Sequence, residues 1–171
     1  MNLIDATYFI GEINVPNTDT PAVQENINFF IKKYEAKFLK TLLGVSVYAS
    51  FIAEMAKPVD EQAQIWKDLK SKLVDEENKQ SPIANYVYKF FQYNGFTVTT
   101  GTGETKPKNE NSTRASIVPK VVRAWNEMSD WVIETRGWFV DFYTENDFNG
   151  YYLSSWPVCN DEFAKINRWG L

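Results

Sequence analysis

The stretch that decides the fold is TPAVQENINFFIKKYEAKFLKTLLG, residues 20–44. Thr20 followed by Pro21 is a helix start: a hydroxyl cap, then a proline whose missing N–H costs nothing at the first helical position. Val23, Ile27, Phe30, Ile31, Tyr34, Phe38 and Leu42 then recur at helical spacing, and Gly44 supplies a left-handed stop. The spacing predicts a helix over 21–43. An amphipathic helix this long must bury its apolar stripe against others, so the sequence on either side should be helical too.

Downstream it is. Val45, Tyr48, Phe51, Ile52 and Met55 predict a shorter helix ending before Pro58, because proline disfavours helical geometry just ahead of it. A third helix starts near Asp60 and turns Ile65, Trp66, Leu69 and Leu73 to one face, its polar end at 75–80 fraying into a loop. Ser81-Pro82 repeats the cap-plus-proline start; Ile83, Tyr86, Val87, Phe90 and Phe91 form the inward stripe of a fourth helix, which Asn94-Gly95 closes. Residues 96–116 are rich in Thr, Gly and Asn, and Thr-Val-Thr-Thr before Gly101-Thr-Gly103 predicts a projecting β-hairpin or a long loop. Pro119 opens what reads as the longest helix, with Val121, Trp125, Met128, Val132, Thr135, Phe139 and Phe142 on its seam and Gly137 marking a close approach or a bend. An irregular aromatic stretch follows, then a short terminal helix capped by Asn160 that runs through Phe163 and Ile166.

Upstream, Thr7-Tyr8-Phe9-Ile10 and Ile13-Asn14-Val15 before Pro16-Asn17 read as an extended arm or short strand ending in a turn. The expected architecture is mainly α, a bundle of about five helices in one domain over residues 1–171. It comprises an N-terminal arm (1–20), the bundle (21–143) with the 96–116 insertion, and a C-terminal tail with its short helix (144–171).

Composition narrows the chemistry. The 171 residues are 44% hydrophobic and 23% charged, with no histidine and one cysteine, Cys159. Ser-His-Asp, Cys-His and His-metal arrangements are therefore excluded, as are an internal disulfide and a cysteine-cluster zinc site. A net charge of −4 and a pI near 5.0 give no global attraction to nucleic acid or anionic membrane. Met-Asn-Leu-Ile-Asp has no basic region and no continuous apolar run, and no stretch approaches the ~20 apolar residues of a bilayer span. A cytosolic origin without membrane insertion is expected.

Each candidate site has a plainer reading beside it. Gly101-x-Gly103 lacks a following Gly-Lys-Ser/Thr and reads as a turn rather than a phosphate loop. Glu145-x-Asp147-x-Asn149-Gly150 resembles half a calcium loop, but its twelfth position is Trp156, so an acidic turn fits better and no metal or other cofactor is expected. Glu127, Asp130 and Glu134 share a helix face that a carboxylate-dependent hydrolase could use, or a solvated face on which Arg123 and Glu127 form an i,i+4 pair. Cys159, without a basic neighbour, reads as an ordinary cysteine. Lys106, Lys108, Arg114, Lys120 and Arg123 against Glu104 and Glu110 make residues 102–123 locally +3, suited to a phosphate, to an acidic partner or simply to solvent.

Aromatic residues are the anomaly, at 16% of the chain with 12 Phe, 9 Tyr and 6 Trp. Those on helical stripes are core by default. Tyr143, Phe148, Tyr151, Tyr152, Trp156 and Trp169 lie outside any strong periodic element, so the tail either folds back over the bundle or docks on a neighbour. Candidate interaction residues are Tyr8 and Phe9 in the arm, Lys106, Lys108 and Arg114 in the loop, and Phe148, Tyr151, Tyr152, Trp156 and Trp169 in the tail.

Several patches together resemble a family. They are Gly11-Glu-Ile-Asn-Val-Pro16, Lys40-Thr-Leu-Leu-Gly44, Ser81-Pro-Ile-Ala-Asn-Tyr86, Thr99-Thr-Gly-Thr-Gly-Glu104 with Asn109-Glu-Asn111, Val122-Arg-Ala-Trp-Asn-Glu-Met128 and Ile166-Asn-Arg-Trp-Gly-Leu171. In this order they are similar to the small head-tail connector (adaptor) proteins of tailed bacteriophages, in the form carried by phages and prophages of gut Bacteroidetes. The resemblance implies a helical-bundle subunit, a non-enzymatic structural virion protein that joins copies of itself in a homo-oligomeric ring. Such a ring docks on the portal protein, meets tail and neck proteins, and continues the channel through which DNA passes without sequence-specific binding. It implies a place in the virion neck, reached from the bacterial host cytoplasm during assembly. Independently of the resemblance, an extended N-terminal arm and an aromatic tail suit ring-closing contacts in which each chain reaches onto the next. Two further functions are compatible with the residues: a carbohydrate- or ligand-binding module using exposed Trp and Tyr, and the carboxylate hydrolase built on Glu127 and Asp130.

Overall fold

A computed structural model describes residues 2–96, 98–100, 103–105, 116–146, 148 and 162–167. Among these, six α-helices form: α1 (Pro21–Leu43), α2 (Val45–Met55), α3 (Gln64–Leu73), α4 (Pro82–Phe96), α5 (Val118–Glu134) and α6 (Arg136–Glu145). Two three-residue strands, β1 (Val98–Thr100) and β2 (Gly103–Thr105), pair antiparallel with Val98 opposite Thr105. The protein is mainly helical, as the periodicity predicts. The rest of the 96–116 insertion lies outside the described residues, as do Cys159, Asn160 and most of the potential calcium loop.

The ends of α1 fall where the punctuation puts them, though by a different route at each. Thr20 turns its hydroxyl back to the Asn17 carbonyl (2.8 Å) instead of capping, while its own carbonyl accepts the Gln24 N–H (2.9 Å). At the other end Gly44 has φ +76° and ψ 159°, a positive φ but an extended ψ rather than the left-handed helical turn expected. Its N–H still closes the helix on the Lys40 carbonyl (3.0 Å). Ser81 performs the predicted cap: its Oγ accepts the Ile83 N–H (3.1 Å) and donates to the Leu73 carbonyl (2.8 Å), tying the end of α3 to the start of α4.

The helices enclose one apolar core, in which α4 lies between α1 and α5 and α2 extends α1 beyond Gly44. Ile27, Ile31, Phe38, Leu39, Leu42, Phe51, Leu69, Leu73, Val87, Met128 and Phe139 are fully or almost fully buried. Each contributes roughly 1.5–3 kcal/mol relative to exposure. No helix among the described residues is long and apolar enough to cross a membrane.

Four expectations are corrected. The single helix from Pro119 through Phe142 is two, broken at Thr135, and α1 is the longest described helix. The Thr135 hydroxyl bonds the Trp131 carbonyl (2.7 Å), the same carbonyl its amide uses (3.0 Å), and this back-bonding bends helices. The third helix starts at Gln64, four residues after Asp60. Its far end does not fray: the Asp75 and Gln80 backbones exchange hydrogen bonds, and Asp75 Oδ1 accepts the Glu77 and Asn78 N–H groups. Finally, the terminal helix through Phe163 and Ile166 does not form across 162–167, which runs as a turn and an irregular strip.

The N-terminal segment differs most from its expected form. It makes two 3-10 turns, Ala6–Tyr8 and Gly11–Ile13, the first capped by Asp5 Oδ1 accepting the Thr7 N–H (2.8 Å). Leu3, Ile4, Tyr8, Phe9, Ile13 and Val15 are all buried, packed against the chain's own helices. Its apolar residues recur too closely for solvent to tolerate them in an extended arm, and the bundle supplies the surface that covers them.

Candidate functional site

The site candidates from the sequence separate in the structure. Tyr8 and Phe9, read as interaction residues, are 3% and 1% exposed and belong to the core, so they offer no docking surface in this fold. Phe148 is half-buried against Trp66, Phe142 and Tyr143, with ring centroids 5.5, 5.3 and 6.0 Å away. At that position the tail folds back over the bundle. Lys106, Lys108, Arg114, Tyr151, Tyr152, Trp156 and Trp169 lie outside the described residues.

Glu127 and Asp130 engage different partners. Glu127 Oε2 accepts a bond from Asn85 Nδ2 (3.2 Å), whereas Asp130 pairs with Lys165 (2.5 Å). Burial raises the Glu127 pKa, with the charge of Glu12 adding to it, against the opposing effects of the Asn85 bond and Arg123. The expected Arg123–Glu127 ion pair is replaced: Arg123 reaches the N-terminal segment and pairs with Glu12 (2.7 Å). Among the described residues no cluster of three Asp, Glu, His or Cys side chains could hold a metal ion.

What the fold does bring together is four of the six short sequence patches quoted above. The exposed face of α5 offers Arg123 to Glu12 of Gly11–Pro16 and Glu127 to Asn85 of Ser81–Tyr86. Its flank offers Asn126 to Ile166, where the carboxamide donates to the Ile166 carbonyl (3.1 Å) and accepts the Ile166 N–H (2.9 Å). Trp125 between them donates its indole N–H to the Ala164 carbonyl (2.7 Å). Its ring packs against Tyr86 and Phe163, at 5.8 and 6.4 Å, beneath the Lys89 ammonium at 3.5 Å. Three of the other five patches, separated by up to about 150 residues of sequence, thus meet on Val122–Met128.

Chemically this is a clasp. It staples both ends of the described chain to α5, using a reciprocal amide pair and a buried indole bond, with an exposed ion pair at the rim worth at most about 1 kcal/mol. Beside it a cleft of about 620 Å³ opens between the Gly11–Ile13 turn, the Asp75–Gln80 turn, Asn85, Glu127 and Trp131. Sequence reasoning identified the patches but not that they converge; Glu12, Asn85 and Asn126 carry the convergence, and each stands inside a quoted patch.

A buried carboxylate was missed altogether. Glu35 is 3% exposed, and its oxygens accept the Leu3 N–H (2.9 and 3.0 Å) and the Ile4 N–H (3.2 Å), pinning the chain start to α1. Burial pushes its pKa up to about 7 despite these bonds. The signal was visible: Ile31, Glu35, Leu39 and Leu42 share one stripe.

Comparison of the chain with protein-family models, with curated proteins and with solved structures gives no match.

Proposed function

We propose that this protein is a structural subunit of a phage head-tail connector, assembling with its own copies into a ring that docks on the portal and extends the DNA channel toward the tail. The observation that carries this reading is the convergence of the connector-like patches: Gly11–Pro16, Ser81–Tyr86, Val122–Met128 and the start of Ile166–Leu171 form one clasp around α5. Lys40–Gly44 at the end of α1 and Thr99–Glu104 in the β1–β2 pair stand outside it. Patches that build one clasp behave as a single structural unit.

The chemistry is consistent with a mechanical part. The groups around the clasp hold chain segments rather than present a nucleophile beside a base, and the two carboxylates of the hydrolase reading point to separate partners. In a neck protein, fastening segments near both ends of the described chain to one helix gives a rigid block that can transmit load between portal and tail.

The test is genetic. A phage carrying a stop codon early in this gene should package DNA into heads that fail to join tails, visible by electron microscopy, with infectivity restored by the wild-type chain. Normal plaque formation by the mutant would refute the reading.

A second reading draws on the cleft. Its Trp131 wall and the amides and carboxylates of Asn85, Gln80 and Glu127 could take a sugar ring. A glycan array with reproducible hits lost in Trp131→Ala would favour it.

A further inference from the structure

Charge on this chain is segregated between two faces. The exposed side of α1 carries four lysines (Lys32, Lys33, Lys37, Lys40) against one exposed carboxylate, Glu25, and packs along α4. With four of the 18 basic and one of the 22 acidic residues placed there, the remainder of the chain is net −7 although the whole is −4. Through this edge runs an aromatic ladder. Phe29 meets Phe30 edge-on (5.7 Å), Phe30 stacks on Tyr34 (5.7 Å), and Tyr34 stacks on Phe90 (4.1 Å). Its outer member remains in solvent, Phe29 being 60% exposed. Lys33 lies over Tyr34 and Lys37 over Phe90, and among the described residues neither pairs with a carboxylate.

A complementary face stands near the other end of α1. There a cleft of about 410 Å³ between α3 and α6 is lined by Ile65, Trp138, Asp68, Asp141 and Glu145. Asp68 accepts a bond from Gln64, and Lys72 reaches over Trp138, but among the described residues none of the three carboxylates has an ion-pair partner. Tyr143 of α6 donates to the carbonyl of Leu43 at the C-terminus of α1, whereas Lys33 and Tyr34 lie ten residues earlier, about 15 Å along the helix. The Lys33–Lys37 part of the edge and the cleft are therefore different surfaces of one subunit.

We infer that the lysine–aromatic edge of α1 and α4 docks into the acidic, Trp138-lined cleft between α3 and α6 of a second copy of this chain. This rests on the ring reading and names its interface. Two different faces make the contact heterologous, so each subunit passes the same contact to the next, as ring closure requires. Apolar anchors at its centre, Phe29 against Ile65 and Trp138, would be framed by lysine–carboxylate pairs that set orientation. A second copy is favoured over nucleic acid because the complementary charge is already present on the same chain.

Charge reversal in two sets tests it. Lys33→Glu with Lys37→Glu alters one face, and Asp141→Lys with Glu145→Lys the other; circular dichroism confirms that each variant folds. Native mass spectrometry of each variant alone should show association weakened about tenfold or more relative to wild type. An equimolar mixture should reassemble, because the reversed faces complement one another. If wild type assembles and both variants assemble equally well, this interface is wrong while the ring reading stands. A wild type that stays monomeric at every concentration overturns both. Retention of an oligonucleotide by wild type, lost in Lys33→Glu with Lys37→Glu, would assign the edge to nucleic acid and overturn the inference.

Discussion

Replacing Glu35 by Gln isolates a contest between two physical effects. The carboxylate is almost fully buried, which disfavours its charge, yet it accepts two backbone N–H groups, which favour it. Burial dominates, moving the pKa from 4.5 to about 7, which corresponds to roughly 3 kcal/mol. In the unfolded chain Glu35 loses its proton near pH 4.5, whereas in the fold it keeps that proton until about pH 7. Across this window the folded state binds more protons, so stability must fall as pH rises and level off above 7. Below 4.5 both states are protonated and the group imposes no penalty. Glutamine keeps one acceptor oxygen for the Leu3 and Ile4 amides and cannot ionise. Urea denaturation of wild type and Glu35→Gln at pH 5, 6, 7 and 8 reads the effect, and subtracting the two series cancels the other titrating groups. The wild type should lose about 2–3 kcal/mol relative to the variant between pH 5 and 8. A difference independent of pH, or one growing in favour of the wild type, would show that the amide bonds outweigh burial and refute the reasoning.

Three further substitutions probe separate parts of the account. Gly44→Ala places a side chain at φ +76° and ψ 159°, a region glycine occupies almost alone, and should cost about 1–3 kcal/mol in denaturant unfolding. Asn126→Ala removes the reciprocal bond to Ile166 and should cost about 1–3 kcal/mol, accompanied by faster amide exchange at residues 162–167; unchanged exchange would show that the clasp does not hold the tail. Ser129→Ala removes a fully buried hydroxyl that lacks a hydrogen-bond partner among the described residues, and the melting temperature should hold or rise, reflecting a gain of up to about 1 kcal/mol.

The parts of the fold legible in the sequence were those written in local punctuation. Pro21 and Gly44 bound α1, and Ser81-Pro82 starts α4, because φ restrictions act without help from the rest of the chain. The break at Thr135 was half legible: Gly137 two residues on suggested a bend or a close approach, and no atom stands within 4 Å of where its side chain would be, but the apolar period runs through Thr135 without proline, so only the hydroxyl's bond to Trp131 fixes the position. The N-terminal segment was misread because short β-branched and aromatic runs favour extension in isolation, whereas burial of Leu3, Ile4, Tyr8 and Phe9 against the helices decides their shape. For the site, the patches were visible but their meeting was not, since Glu12–Arg123 and Asn126–Ile166 are tertiary contacts. The lysine–aromatic edge was hidden for the same reason. Phe30, Tyr34, Phe90 and Phe91 look like core on their own helices, and only the packing of α1 on α4 shows that their ladder reaches solvent.

The central claim is that this chain builds a closed ring, and native mass spectrometry of the wild-type protein over a rising concentration series tests it most directly. The account predicts one oligomer of fixed copy number that gains population without an n+1 species. A monomer at every concentration, or an open-ended ladder of sizes, would contradict it.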